Sequence, residues 1–443
     1  MSHRTRERAP PRAKELSMDV KVDLEREILA YEADQAVHVQ LVVRAPELAR
    51  PEGRKPVNVV VVIDRSGSMA GEKLAQATGA VCQLIDQLAR DDLFSLIAFD
   101  DDATVVVPAG PARDKVALKE QSRKIGPGGG TNLSGGWFLG VTEAKRNLAP
   151  GRISRVLLLT DGQANQGIVE PGRLVAQAHA FRDEGVELST LGYGNDFNED
   201  LLQPLALAGH GTFHYVKTPD QAPAVFREEL QGLLAVVAQN LRAMFHWGSG
   251  AQGLTLLNDL PVTRRDDSLE LSLGSLLSGD EKILVFRVVV KAGAGPGRVR
   301  LGEVRLEYDW VVGEVRHESH TYPVEATHAP GVRAVQERPL LRVVENVVRM
   351  ESVLARKRAI EEADRGDFAG ARNVLETFQE RYAPLAGDSA AIKEELARLE
   401  TERANLTAGA RYKEARKESR LRSYQICTST PLRPPRDKDD PSS

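Results

Sequence analysis

The sequence predicts an α/β protein: a doubly wound, mostly parallel, Rossmann-like sheet, with a flanking β-sandwich and a C-terminal helical domain. Three observations carry this. Val57–Asp64 (VNVVVVID) and Arg155–Asp161 (RVLLLTD) are apolar runs without alternation, the pattern of parallel strands covered on both faces. Segments of helical period lie between such runs, which implies βαβ crossovers. From about Gln239 to Val324 the helical period disappears, and from Pro330 to about Tyr424 it returns. At roughly 150 residues per domain, 443 residues also predict about three domains.

The elements follow in order. Residues 1–16 are charged and proline-bearing and read as a disordered tail. Residues 17–56 hold N-terminal strands, with Ala36–Val43 rich in β-branched residues, and a proline-punctuated linker at Pro46–Pro56. Residues 57–237 form the α/β domain. Its pieces are a helix with Leu74, Ala77, Val81, Leu84, Ile85 and Leu88 on one face, a strand Leu93–Phe99 and a hairpin partner near Thr104–Val107. They continue with helices at Lys115–Ile125, after Thr131 and at Arg173–Glu184, a strand Val186–Gly194, then helix, strand and helix at Leu201–Ala208, Thr212–Val216 and Ala222–Val237. Residues 238–326 carry short strand-like runs (Leu254–Leu257, Leu269–Leu273, Lys282–Val290, Val299–Tyr308, Ser319–Val324), a β-sandwich texture that the N-terminal strands would complete around the inserted α/β domain. Residues 330–425 predict helices near Pro339–Ala363, Phe368–Tyr382, Ser389–Leu406 and Ala408–Tyr424, with Pro339 in a first turn. Residues 426–443 read as a second disordered tail.

Composition narrows function. The 59 Lys+Arg nearly balance 63 Asp+Glu, for a net charge of −4, which argues against a general nucleic-acid binder. The two cysteines, Cys82 and Cys427, exclude a disulfide framework and a four-cysteine zinc site. The opening MSHRTRERAPPRAKEL has no apolar segment after its charges and does not read as a secretion signal, and no apolar run is long enough for a membrane helix. The expectation is a soluble, cytoplasmic protein.

The chemistry concentrates at strand ends. The first strand ends in Asp64-Arg65-Ser66-Gly67-Ser68. Gly128-Gly129-Gly130-Thr131 places a threonine at the head of a helix, and Thr160-Asp161-Gly162 places a carboxylate after another buried strand. Ligands of doubly wound sheets sit beyond the carboxyl ends of the strands, so all three loops should share one edge. Two carboxylates and three hydroxyls are hard oxygen donors, suited to Mg²⁺ and unsuited to zinc. The set would leave room for an anionic oxygen from outside. Asp-x-Ser-x-Ser alone is also what a helix cap looks like; the other two loops make the site.

With these residues the sequence resembles the von Willebrand factor A (VWA) family and its metal-ion-dependent adhesion site, in the inter-α-trypsin-inhibitor-like and bacterial branch. The resemblance covers about residues 57–237. It implies that Asp64, Ser66, Ser68, Thr131 and Asp161 hold Mg²⁺, with Mn²⁺ or Ca²⁺ as the other divalent candidates. It implies further that an Asp or Glu of a partner protein completes the coordination, and that the last α/β helix can shift when the site is filled. His210 stands where the family often has glycine. The function implied is a non-enzymatic adaptor; the alternative is an accessory subunit of an AAA-type ATPase in a chelatase- or chaperone-like complex, since the chain has no phosphate-binding loop of its own.

Other motifs take plain readings. Arg365-Gly366-Asp367 is a charged turn between helices, and Asp100–Asp102 a solvated hairpin turn. His317 and His320 fall on opposite faces of a strand. Cys82 is a small core residue. The run Arg411–Arg422 mixes signs and reads as a solvated helix face.

Overall fold

The computed structural model describes residues 17–48, 56–408 and 410–429. The expected tail at 1–16, most of the linker and residues 430–443 lie outside the described residues.

Three strands open the chain: β1 (Asp19–Leu24), β2 (Ile28–Ala30) and β3 (Gln35–Arg44). The α/β layer follows as β4 (Asn58–Asp64), α1 (Glu72–Gln87), β5 (Leu93–Phe99), β6 (Ala103–Pro111), α2 (Lys115–Arg123) and α3 (Leu133–Lys145). It continues with β7 (Ser154–Thr160), α4 (Pro171–Asp183), β8 (Glu187–Tyr193), α5 (Glu199–Ala208), β9 (His210–Val216) and α6 (Ala222–Leu234). The sheet order is β6-β5-β4-β7-β8-β9, parallel except for β6. The central strand explains its own composition. Val59, Val61 and Ile63 enter a core shared with α1 and α6, whereas Val60 and Val62 enter the core under α3, α4 and α5. With two buried faces the strand is apolar from Val59 to Ile63 and polar only at its ends, Asn58 and Asp64.

Seven strands come next: β10 (Val236–Trp247), β11 (Ala251–Leu256), β12 (Thr263–Arg264), β13 (Ser268–Leu277), β14 (Glu281–Val290), β15 (Gly297–Trp310) and β16 (Arg316–Ala329). Two sheets, β1-β3-β14-β11 and β12-β13-β10-β15-β16-β2, face each other across one core that includes Leu41, Phe245, Phe286 and Leu306. Phe245 and Phe286 meet edge to face with ring centres 5.2 Å apart, joining the sheets. The N-terminal strand β3 is the inner neighbour of β14, over the full register Gln35–Arg44.

The largest departure from expectation is β10. The apolar run through Val237 was expected to be helical. Instead α6 stops at Leu234, and after Ala235 the chain becomes a 12-residue strand between β13 and β15. Pairing on both sides outweighs the local helical pattern, because β-branched Val236 and Val237 fit a pleated, buried strand.

The helical layer is α7 (Gly331–Gln336), α8 (Leu341–Asp364), α9 (Phe368–Tyr382), α10 (Ala390–Asn405) and α11 (Ala410–Thr428). Pro339 lies before the helix, which starts two residues later, and not in its first turn. The helix α11 runs past residue 425: Ile426 and Cys427 are buried with Leu257 and Val285 against the sandwich. Its charged run is not a solvated face. Arg416, 14% exposed, pairs with Glu199, Asp200 and Asp364, and Arg420 pairs with Asp200 at 2.9 Å. Lys417 is buried, donates to the Phe197 carbonyl at 3.0 Å, and sits 4.1 Å from the centre of the Phe197 ring. The mixed charges complement the acidic first turn of α5, so this run fastens the helical layer to the α/β layer. Among the described residues no helix is long and apolar enough to cross a membrane.

Candidate functional site

The site forms where β4 and β7, neighbours in the sheet, release their chains at the carboxyl edge. Backbone hydrogen bonds tie its three loops together. Gly67 N donates to Gly129 O (3.0 Å), Gly128 N to Arg65 O (2.6 Å), and Asn165 N to Thr131 O (3.1 Å). Glycine is needed at position 128: a Cβ there would lie 1.8 Å from Asp100 Oδ2 and 2.8 Å from Asp100 Cβ, and Asp100 is buried. The Asp100–Asp102 turn is therefore packed against the glycine loop, with Arg65 paired to Asp100 at 3.1 Å.

The five residues singled out in the sequence are brought together. Asp64 Oδ1 accepts from Ser66 N (2.8 Å), Ser66 Oγ and Ser68 Oγ are 3.1 Å apart, and Ser68 Oγ donates to Asp161 Oδ1 (2.6 Å). A Cβ placed on Gly162 would stand 3.6 Å from Thr131 Oγ1, 3.8 Å from Ser68 Oγ and 4.0 Å from Asp64 Oδ2, so these oxygens surround a single point. Asp64, Ser66, Thr131 and Asp161 are buried, whereas Ser68 is exposed, so the cluster opens to solvent on the Ser68 side. Burial raises the Asp64 carboxyl above its usual range and the charge of Asp161 adds to this, against the hydrogen bonds from Thr160 and Ser66.

Two residues that sequence reasoning missed touch the cluster. Thr160 Oγ1 donates to Asp64 Oδ2 at 2.5 Å. Lys73, in the first turn of α1, pairs its ammonium with Asp161 Oδ2 and also donates to the Ser68 carbonyl at 3.2 Å. Its signal was a lone lysine five residues after Ser68, at the head of a helix. No group of three or more His, Cys, Asp or Glu side chains suited to a metal occurs among the described residues. The oxygen cluster is of another kind, with hydroxyls as three of its five groups.

The backbone at His210 is left-handed, with φ +55°, a conformation glycine adopts without strain, which is why glycine suits this position. The remaining motifs keep plain roles: Asp367 caps α9 by accepting from Gly370 N at 2.7 Å, and His317 pairs with Asp309.

The doubly wound, mostly parallel sheet with its helices is a VWA-type α/β fold, and residues 58–228 match the family model described as von Willebrand factor type A domain. Among relatives, an uncharacterized protein, sll0103, of Synechocystis sp. is 30% identical over 266 residues, covering 58% of this chain and 62% of its own length. Inter-alpha-trypsin inhibitor heavy chain H3 of Mesocricetus auratus is 33% identical over 195 residues, covering 42% of this chain and 21% of its own. The chain thus spans less than two thirds of the length of either curated relative. A solved structure, a von Willebrand factor type A protein from Catenulispora acidiphila, aligns with a TM-score of 0.70 at 19% identity, covering 93% of this chain and 98% of that one. This likeness extends the shared fold beyond the VWA domain to the sheets and helices around it.

Proposed function

We propose that this chain is a divalent-metal-dependent, protein-binding adaptor without catalytic activity of its own. The observation that carries the reading is the convergence of Asp64, Ser66, Ser68, Thr131 and Asp161 from three loops around one solvent-accessible point. The match of residues 58–228 to the model of a family whose domains are commonly metal-dependent protein-interaction modules supports it. Ser66, Ser68 and Thr131 would supply neutral donors, and Asp64 and Asp161 no more negative charge than a divalent ion carries. A bound Mg²⁺ would then supply an unsatisfied positive site for a carboxylate from outside. The partner group is accordingly an Asp or Glu side chain. An AAA-type ATPase presenting such a residue is one partner of that kind.

Affinity capture with the full chain tests this. A partner retained in Mg²⁺ and released by EDTA is the expected result, with calorimetry showing saturable Mg²⁺ or Mn²⁺ binding to the chain alone. Absence of metal binding, or identical capture in Mg²⁺ and EDTA, would overturn the reading.

Lys73 gives the site a resident positive charge that a metal must displace from Asp161. Lys73→Met is therefore expected to tighten Mn²⁺ binding by about tenfold, the equivalent of one lost competing charge-assisted contact at a partly exposed site. Unchanged Mn²⁺ affinity in the calorimeter would show that the lysine does not compete.

A further inference from the structure

The rim of the oxygen cluster carries acids without a cation. Asp161 is paired with Lys73 and Asp100 with Arg65. Asp101, Asp102 and Glu72 are exposed, and among the described residues no Lys or Arg pairs with any of them. We infer that the partner segment carries a Lys or Arg within about three positions of its metal-binding Asp or Glu, and that Asp101 receives this base. The inference rests on the metal-dependent reading above and adds the second group by which the partner is recognised.

Asp101 is singled out by where it is held. A Cβ built on Gly129 would lie 2.2 Å from Asp101 Oδ2, and one built on Gly130 would lie 2.4 Å from Asp101 Oδ1. The carboxylate therefore lies along the two residues that precede Thr131. Gln166 Nε2, from the loop after Asp161, donates to Asp101 Oδ1, and Asp101 Oδ2 accepts no hydrogen bond among the described residues. Asn132, the residue after Thr131, donates its side-chain amide to the Asp101 carbonyl (3.3 Å) and its backbone N–H to the Asp100 carbonyl (2.7 Å). Side chain and backbone are thus tied to two of the loops that build the cluster. Summed through Gly130, the path from Asp101 Oδ1 to Thr131 Oγ1 is about 10 Å at most. An extended chain advances about 3.3–3.6 Å per residue, so about three residues span that gap.

Charge decides what the partner brings. A ligand with only an acid would carry it past Asp101, Asp102 and Glu72, and like charges brought together at an interface oppose binding. A base on the ligand turns the same rim into an attraction. Lys73 and Arg65 do not offset these acids, because each already faces a carboxylate of the site. Gln166 is a neutral donor, so it fixes Asp101 in place without cancelling its charge.

Selection of a displayed library of random peptides on the full chain in Mn²⁺, with elution by EDTA, tests this. The eluted peptides are expected to share an Asp or Glu with a Lys or Arg within about three positions of it. Selection on Asp101→Asn is expected to recover the acid without the base. The asparagine keeps an oxygen for Gln166 and lies on the surface, so the variant removes the charge alone. In calorimetry with one recovered peptide, replacing its base by Gln should weaken binding to the wild type by about fivefold, the upper end for an exposed ion pair, and leave binding to Asp101→Asn unchanged. Peptides that share an acid but no base, or a base whose replacement weakens binding to wild type and variant alike, would overturn the inference and leave the metal-dependent reading standing. Recovery of no acid-bearing peptide by EDTA would overturn both.

Discussion

Asp64→Asn is expected to remove divalent-metal binding while leaving the metal-free protein at least as stable as the wild type. The asparagine keeps an oxygen for the Ser66 N–H, and the Thr160 hydroxyl can turn to accept from the new amide, so both contacts of Asp64 have replacements. What is lost is one of two buried carboxylates, whose mutual repulsion and burial disfavour the charged form in the metal-free fold. Disturbing an outer partner of a metal ligand typically weakens binding by about 10–100-fold, so losing a charged donor should weaken it by at least about 100-fold. The measurement is a thermal melt with and without Mn²⁺. At a metal concentration of about 100 times the wild-type Kd, the wild type gains about 2.7 kcal/mol from linkage, and Asp64→Asn should gain no more than about 0.4 kcal/mol. A variant that keeps the wild-type shift would remove Asp64 from the site.

Arg356→Ala should produce the largest loss of stability. The Arg356 side chain is wholly buried between α8, α10 and α11. Nε donates to Glu402 (2.8 Å), and Nη1 to Glu395 Oε1 and Ser352 Oγ (both 2.7 Å). Its removal leaves Glu395, 3% exposed, with Ser352 and a 3.4 Å contact from Arg422 among the described residues. Breaking a buried pair on one side costs about 3–5 kcal/mol, whereas replacing the whole set by apolar residues is often neutral. Urea unfolding should therefore show a loss of that size for Arg356→Ala, with much of it regained in Arg356→Met combined with Glu395→Met and Glu402→Met. A loss below about 1 kcal/mol for the single change would show that the helical layer does not depend on this charge.

The parts of the fold that sequence revealed are those where burial leaves one choice. Strands β4, β5 and β7 carry mostly apolar interiors because both faces are covered, and α9 has both its cap and its last core residue in place. The strand β10 was hidden because Leu233-Leu234-Ala235-Val236-Val237 is apolar in either conformation; the decision is made by β13 and β15, which lie downstream. The oxygen cluster was legible because each donor stands at the end of a recognisable element. Lys73 and Thr160 were not, since their roles come from distances across loops. The Arg155 network was hidden for a related reason. Arg155 near the start of β7 joins Glu229 of α6 at 2.9 Å and Glu187 of β8, and Glu187 accepts from Ser275 of the sandwich at 2.7 Å. Burial opposes the charged form of Glu229, but His214 and Arg155 hold its carboxyl down at about 2. Spacing in the chain says nothing of such a set.

The pairing of β3 with β14 has a consequence for how the chain is made. Arg44 and Glu281, joined by an ion pair at the start of that ladder, are 237 positions apart. At about 5–20 residues per second, a ribosome needs on the order of ten seconds or more to supply the second strand after the first. During that interval the whole α/β layer, contiguous in sequence, has emerged and can close around its own core. The strand Gln35–Arg44, with five of its ten residues destined for full burial, meanwhile has only β1 beside it. Its far edge is a template for pairing with another nascent chain until Glu281–Val290 arrives. Conditions that slow translation between residues 44 and 290 should therefore bear more heavily on aggregation of this protein than any change to its metal-binding loops.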